Sequence, residues 1–227
     1  MATPYRRHAR RRARGHDGAQ GFTLVEVGIS VGILVLLLIA VGKVVLAGSR
    51  AFRVGSARNA VVMKARRTID RIADHLEMAG ISQLNPVPAF PNHSSTLEVA
   101  TPVGLVGGAV QFGSTTRIVL RSDPDDAVNG LDDDADGFTD EGFVECTEDV
   151  GLPTQRSVVL CHDIALFAEG EIGGNGLDDD GNGLVDERGL SFVLDTERLT
   201  VRLTVLGLDA DRRVIRQTVD TSVKVRN

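Results

Sequence analysis

The run Gly21-Phe22-Thr23-Leu24-Val25-Glu26 stands between an arginine-rich N-terminal segment and a long apolar stretch. Six arginines precede this run, whereas residues 27–42 contain no ionisable side chain and Lys43 closes the stretch. The segment 22–47 is long enough to cross a hydrocarbon core of ~30 Å, which needs about 20 residues. Because a carboxylate inside a bilayer is energetically costly, Glu26 is a candidate functional residue.

The arginine-rich leader, the Gly21-Phe22 junction and Glu26 together resemble the class III signal of type IV prepilins and pseudopilins. The resemblance implies that a prepilin peptidase removes residues 1–21 and methylates the new N-terminal residue, Phe22. It also implies that Glu26 neutralises the terminal ammonium of a neighbouring subunit, since two buried charges are tolerated when they pair. The partners implied are other pilins or pseudopilins, the assembly platform and the peptidase.

The charge pattern predicts how this segment lies in a membrane. Positive residues cluster before the span, so the leader is expected in the cytoplasm and everything after Lys43 outside it. Together with this orientation, the resemblance implies a single-pass protein of the inner membrane with an exported C-terminal domain, which later enters a pilus or pseudopilus. Glycines at positions 28, 32 and 42 suit close helix contacts, but they are equally explained by the tolerance of membrane helices for glycine.

Charge composition argues against several functions. Removing the leader leaves 19 basic and 30 acidic residues, a net charge of −11, and such a surface repels nucleic acid. A basic run at 64–71 is interpreted as the solvated face of a helix. The histidines have no metal-ligand spacing, and no nucleophile or phosphate-binding motif is present, so no enzymatic activity is expected.

Periodicity predicts an α+β fold. Val61, Ala65, Ile69, Ile72 and Leu76 form one apolar stripe, which extends the helix to residues 22–80 before glycine and prolines end it. The following domain, 81–227, shows strand patterns at Thr96–Ala100, Arg117–Arg121, Ser157–Phe167, Ser191–Asp195, Leu199–Leu208 and Val214–Val225. A long N-terminal helix packed on an antiparallel sheet is also the type IV pilin-like architecture that the resemblance implies. Residues 66–80 and 223–227 are similar to those of PilW-type minor pilins and J-type pseudopilins of type II secretion.

The middle of the chain contains an internal repeat. Residues 129–141, NGLDDDADGFTDE, recur at 175–187 as NGLDDDGNGLVDE. Oxygen-bearing side chains at alternate positions before a glycine converge on a hard cation, and a backbone carbonyl follows two positions later. The predicted calcium ligands are Asp132, Asp134, Asp136, Phe138 (carbonyl), Asp140 and Glu141 in the first copy, and Asp178, Asp180, Asn182, Leu184 (carbonyl), Asp186 and Glu187 in the second.

Neither copy is a full EF-hand. Counted from Asp132 or Asp178 as position one, position twelve, where that motif places a bidentate glutamate, holds Phe143 or Gly189. The closing carboxylate is therefore expected earlier, from the aspartate or glutamate at the end of each copy. Two calcium ions are expected; magnesium is less suited because it requires rigid octahedral geometry.

The two cysteines, Cys146 and Cys161, lie between the repeats in the exported part. An oxidising compartment favours a disulfide between them, worth ~3 kcal/mol by loop closure, although two unpaired buried thiols are the alternative.

Two functions follow from these features. The first is a structural subunit, a minor pilin or pseudopilin of a type IV pilus or type II secretion pseudopilus, stabilised by calcium. The second is a calcium-dependent adhesion or binding module on the cell surface, anchored by the same helix.

Overall fold

The computed structural model describes residues 21–77 and 79–225, so the predicted leader, apart from Gly21, lies outside the described residues. The elements are α1 (Leu24–Leu76), a 3-10 turn (Ile81–Gln83), β1 (Thr96–Val106), β2 (Ala109–Ser122), β3 (Glu141–Glu148), β4 (Arg156–Ala165), β5 (Leu190–Asp195), β6 (Arg198–Leu208) and β7 (Val214–Lys224). One long helix followed by antiparallel strands confirms the α+β class. The chain divides into two units, Met1–Gly48 and Ser49–Asn227.

The first unit contains the start of α1, which has a reciprocal cap. The Thr23 hydroxyl accepts a hydrogen bond from the backbone N–H of Glu26 (3.2 Å), and the Glu26 carboxylate accepts one from the backbone N–H of Thr23 (3.4 Å). This is a capping box, which satisfies two backbone donors at a helix N-terminus. Downstream of the cap, the large apolar side chains up to Leu46 are all exposed. By length and composition this helix could cross a membrane.

The second unit buries the predicted stripe of α1. Val61, Ala65, Ile69, Ile72 and Leu76 are buried in one cluster with apolar residues of the sheet, among them Leu97, Val99, Ile118, Val144, Phe192, Leu203 and Val205. The predicted periodicity is therefore confirmed. Burial of apolar area at about 25 cal/mol per Å² makes this cluster the main source of stability for the second unit.

The sheet has the strand order β1-β2-β3-β4-β6-β5, and β7 pairs with β6. β6 pairs with β7 along its whole length and with β5 through residues 198–203, whereas its register with β4 consists of one pair, Ile164 with Val205. At the far end of β6, Gly207 allows a close approach of α1. A Cβ atom at this position would lie 2.2 Å from a methyl carbon of Val61.

Three details differ from the sequence-based prediction. β3 was not predicted, because its residues carry three glutamates and begin inside the acidic repeat. β1 and β2 extend well beyond the predicted segments into a hairpin, which turns at Gly107 and Gly108, both with positive φ. The predicted terminal hairpin is confirmed as β6 and β7, while α1 ends at Leu76 rather than near residue 80.

Candidate metal centres

The two copies of the sequence repeat form loops at the same end of the sheet. Loop 1 (residues 129–141) precedes β3, and loop 2 (residues 175–187) precedes β5. Glu141, the last residue of loop 1, pairs with Ala165 at the end of β4. The connection to loop 2 begins directly after Ala165, and the backbone N–H of Ala168 donates to the carbonyl of Glu187. Both loops therefore lie beside the end of β4.

Each loop begins with the same turn, set by its first asparagine. The Oδ1 atoms of Asn129 and Asn175 accept the N–H of Leu131 and Leu177 at 2.8 Å. The Nδ2 atoms donate to the carboxylates of the residues four positions on, at 2.7 Å in both loops. The repeat in sequence is therefore a repeat in structure, because identical side chains make identical local hydrogen bonds.

The aspartates predicted at position nine have other contacts. Asp140 accepts the N–H groups of Asn129 (2.7 Å) and Gly130 (2.9 Å). Asp186 accepts those of Asn175 and Gly176, both at 3.0 Å. These carboxylates close the loops by joining the last turn to the first, and neither belongs to the groups of converging carboxylates described next.

Two groups of carboxylates converge closely enough to hold a metal ion. In loop 1 the group consists of Asp132, Asp134 and Asp136, one oxygen of each lying within 4.8 Å of the others. In loop 2 it consists of Asp178, Asp180 and a residue from outside the repeat, Glu171. The predicted ligand Asn182 has a different orientation, since its Nδ2 donates to Asp180 (2.8 Å) and Glu187 (2.8 Å).

The residue at position seven of the calcium motif, Phe138 in loop 1 and Leu184 in loop 2, anchors each loop to the domain. The side chain of Phe138 is buried against Ala165, Leu206 and Leu208, and that of Leu184 is buried to a similar degree. Burying these side chains holds the polar part of each loop outward. The carbonyl oxygens of the same residues are the ones that the calcium motif assigns to the ion.

A carboxylate upstream of each loop, overlooked in the sequence, holds the loop backbone. Asp126 accepts the N–H of Asp133 (2.9 Å) and of Asp140 (2.7 Å), and these backbone hydrogen bonds lower its pKa. Glu171 accepts the N–H of Asp179 (3.1 Å) and of Asp180 (3.2 Å) through Oε1. Both residues are buried. They lie three and four positions before the repeats, so alignment of the two copies alone does not reveal them.

The glutamates that end the loops have opposite environments although they occupy equivalent positions. Glu141 is 2% exposed, and its Oε2 atom lacks a hydrogen-bond partner among the described residues. Burial raises its pKa to about 7, and Asp136 and Asp126 add to the effect. Glu187 is fully buried, but it accepts hydrogen bonds from Arg202 (2.6 Å), Asn182 and the hydroxyl of Ser191.

These environments fit a divalent cation bound through oxygen. Among the described residues, the buried side-chain oxygens without a partner are Glu141 Oε2 and Glu171 Oε2, one beside each loop. A buried carboxylate oxygen without a donor is costly, and a hard cation such as Ca²⁺ or Mg²⁺ would compensate it. Two acidic groups in this domain could therefore hold metal ions.

The cysteines do not form the predicted disulfide; both are free and buried. The register places Cys146 opposite Val158 and Cys161 opposite Val144 on neighbouring strands, so the two thiols are diagonal. Diagonal residues lie roughly 7–8 Å apart, with their Cβ atoms somewhat closer, which is still farther than the Cβ separation of about 3.5–4.5 Å in a disulfide. Burial raises the pKa of both thiols, that of Cys146 to about 11.

The remaining candidate residues lie at the start of α1. Gly21 and Phe22 precede the helix, and Phe22 is 82% exposed, so the junction between them is accessible. Glu26 lies in the first turn, where its carboxylate contacts Thr23. Comparison with known proteins gives no further guide to these residues or to the loops: no family model, no curated protein and no solved structure matches this chain.

Proposed function

We propose that this chain is a minor pilin or pseudopilin, a structural subunit that is anchored by α1 and incorporated into a type IV pilus or secretion pseudopilus. The observation that carries the proposal is the start of α1: an accessible Gly21-Phe22 junction, a carboxylate in the first helical turn, and an exposed apolar surface behind it. A soluble domain does not leave such a surface in water. In the membrane it faces lipid, and in a filament it would face the helices of neighbouring subunits.

Calcium completes the proposal as a structural cofactor of the exported domain. The two acidic groups support this role, and so do the buried carboxylate oxygens without a donor, one within the loop 2 group (Glu171) and one at the end of loop 1 (Glu141). Calcium suits them better than magnesium because the ligands belong to irregular loops and include bulky carboxylates. Extracellular sites of this kind bind at ~10⁻⁴–10⁻³ M, an affinity that calcium-rich surroundings saturate.

The capping box gives Glu26 a second explanation, which the experiment must separate from assembly. A carboxylate at this position stabilises a helix N-terminus whether or not the chain enters a filament. Glu26→Gln separates the two roles, because glutamine also completes a capping box but cannot neutralise an ammonium group. Thr23→Ala is the matched control, since it removes the cap and keeps the charge.

The test is mass spectrometry of sheared surface fibres and of membranes from cells that produce each variant. We expect a wild-type peptide beginning at N-methylated Phe22, together with other pilins in the fibre or pseudopilus fraction. Glu26→Gln should be processed but excluded from that fraction, and Thr23→Ala should enter it. An intact leader in the wild type would overturn the proposal, and normal incorporation of Glu26→Gln would overturn the role assigned to Glu26.

A further inference from the structure

The two repeats have nearly the same sequence, yet they place the buried carboxylate oxygen without a partner on different residues. In loop 1 it belongs to Glu141, the last residue of the repeat. In loop 2 the equivalent residue is Glu187, and the oxygen without a partner belongs instead to Glu171, four residues before the repeat. The buried oxygens without a partner therefore lie at opposite ends of the two loops, and only that of Glu171 belongs to a residue of a converging group.

An arginine of β6 explains why Glu187 in loop 2 has partners for its carboxylate whereas Glu141 in loop 1 has an oxygen without one. Arg202 lies 2.6 Å from Glu187, and Ser191 and Asn182 also donate to this carboxylate. Glu187 is already neutralised and hydrogen-bonded, so a cation would have to compete with an arginine for it. In loop 1 no arginine or lysine side chain among the described residues forms an ion pair with Glu141.

The carboxylates upstream of the two loops, Asp126 and Glu171, differ in the opposite sense from the glutamates that end the loops. Asp126 uses both oxygens to accept backbone N–H groups, one on Oδ1 and the other on Oδ2. Glu171 is longer by one methylene and accepts both of its N–H groups on Oε1. Its Oε2 is therefore left without a donor, although the residue is 93% buried. One oxygen of Glu171 lies within 4.8 Å of oxygens of Asp178 and Asp180.

We infer that Glu171 is a cation ligand of loop 2 and takes the place that the repeat alone assigns to Glu187. Glu187 is a positioning residue that fastens the loop to β6 through Arg202. Position five supports the same assignment: the side chain of Asp136 belongs to the converging group in loop 1, whereas Asn182 in loop 2 directs its Nδ2 at Glu187. Glu171 restores the third carboxylate that loop 2 loses there. The inference rests on the calcium role proposed above.

Glu171→Gln tests it without dismantling the loop. The side-chain carbonyl of glutamine can still accept the two backbone N–H groups, while the second oxygen and the negative charge are lost. The matched control is Glu169→Gln, which makes the same change two residues away at an exposed side chain. All variants are made in the full chain, in detergent micelles and in an Asp134→Ala background that disables loop 1, so that only loop 2 is titrated with calcium by calorimetry.

We expect Glu171→Gln to weaken calcium binding by at least ~10-fold, because the number of charged ligands sets the affinity of such sites. Glu169→Gln should leave it unchanged, and Glu187→Gln should retain it within about 3-fold while lowering the melting temperature. In EDTA, Glu171→Gln should melt at the same temperature as its parent or above it, since it removes a buried carboxylate oxygen that lacks a donor.

Equal affinities for Glu171→Gln and Glu169→Gln would overturn the inference. Loss of binding in Glu187→Gln with retention in Glu171→Gln would also overturn it, and would restore the assignment made by the repeat. Absence of calcium binding in the wild type would overturn the inference together with the calcium role. Incorporation of the subunit into filaments is measured separately and would be unaffected by either failure.

Discussion

Replacing one central aspartate in each loop, Asp134→Ala with Asp180→Ala, should abolish the stabilisation of this protein by calcium. Each residue belongs to a converging carboxylate group. Each also accepts the N–H of the residue two positions on, at 3.0 Å. Asp180 also accepts a hydrogen bond from the Asn182 side chain. The double variant therefore loses candidate ligands and three loop hydrogen bonds together, and only its response to calcium, compared with its behaviour in EDTA, isolates the first effect.

The size of the effect follows from linkage. A site with a Kd of ~10⁻⁴–10⁻³ M in about 10 mM calcium stabilises the folded state by roughly 1.4–2.7 kcal/mol, so two sites contribute about 3–5 kcal/mol. For a chain of this length, 1 kcal/mol moves the melting temperature by about 2–4 °C. Calcium should accordingly raise the wild-type melting temperature by roughly 6–20 °C, and the double variant should show almost none of this increase.

Differential scanning calorimetry suits the measurement, because the chain has no tryptophan and its one tyrosine lies in the leader. The matched control is Asp133→Ala with Asp179→Ala, which removes the same charge from the same loops. These two carboxylates accept hydrogen bonds from the asparagine side chains at 2.7 Å but do not belong to the converging groups. The control should keep the calcium-dependent increase even if it melts at a lower temperature in EDTA.

Two results would refute this reasoning. One is a wild-type melting temperature that is the same in calcium and in EDTA. The other is a double variant with the full wild-type increase, which would place the bound ions elsewhere in the chain.

Three further predictions concern the rest of the domain. Gly207→Ala in β6 should destabilise the protein by about 1–3 kcal/mol in chemical denaturation, since its Cβ would overlap a valine of α1. Gly55→Ala, at an open position on α1, should be neutral or stabilising. Equal effects of the two changes would contradict this packing. Non-reducing mass spectrometry after alkylation should find Cys146 and Cys161 unmodified in the folded protein and both modified after unfolding, and a pair that alkylates only after reduction would contradict the structure. Glu98→Gln should lower the free energy of unfolding by about 1 kcal/mol at neutral pH, because an arginine hydrogen bond lowers the pKa of this carboxyl from 4.5 in the folded state. The loss of stability is complete above pH 4.5 and should vanish as the pH falls through the lower folded-state pKa. A loss that is independent of pH would argue against an ionic role.

The sequence predicted the elements whose patterns are local. The apolar stripe from Val61 to Leu76 has helical spacing, and the last three strands alternate between turns, so both were placed correctly. β3 was missed because its burial depends on the neighbouring strands rather than on its own composition. Its two end glutamates differ accordingly: Glu141 is buried at the start of the strand and Glu148 is exposed at its end.

The sequence also predicted the loops themselves, since the aspartate spacing is local information. It could not predict which carboxylates converge or how the loops are held, because these depend on residues that approach from elsewhere. Asp126 and Glu171 precede the repeats, and Arg202, which neutralises Glu187, lies on another strand. The two alternatives for the cysteines could not be separated for a similar reason: pairing depends on strand register, and the distance between two cysteines along the chain does not determine it. In the structure both cysteines are free.

The position of the loops explains why cation binding would act on the whole domain. β4 and β6 meet through one residue pair in the register, which makes their junction the weakest in the sheet. Both loops reinforce this junction. Phe138 of loop 1 packs against Leu206 of β6, and Glu187 of loop 2 is held by Arg202 of β6. An ion that orders the loops therefore strengthens the contact between the two halves of the sheet, so calcium should shift a single cooperative transition and should not merely order a surface loop.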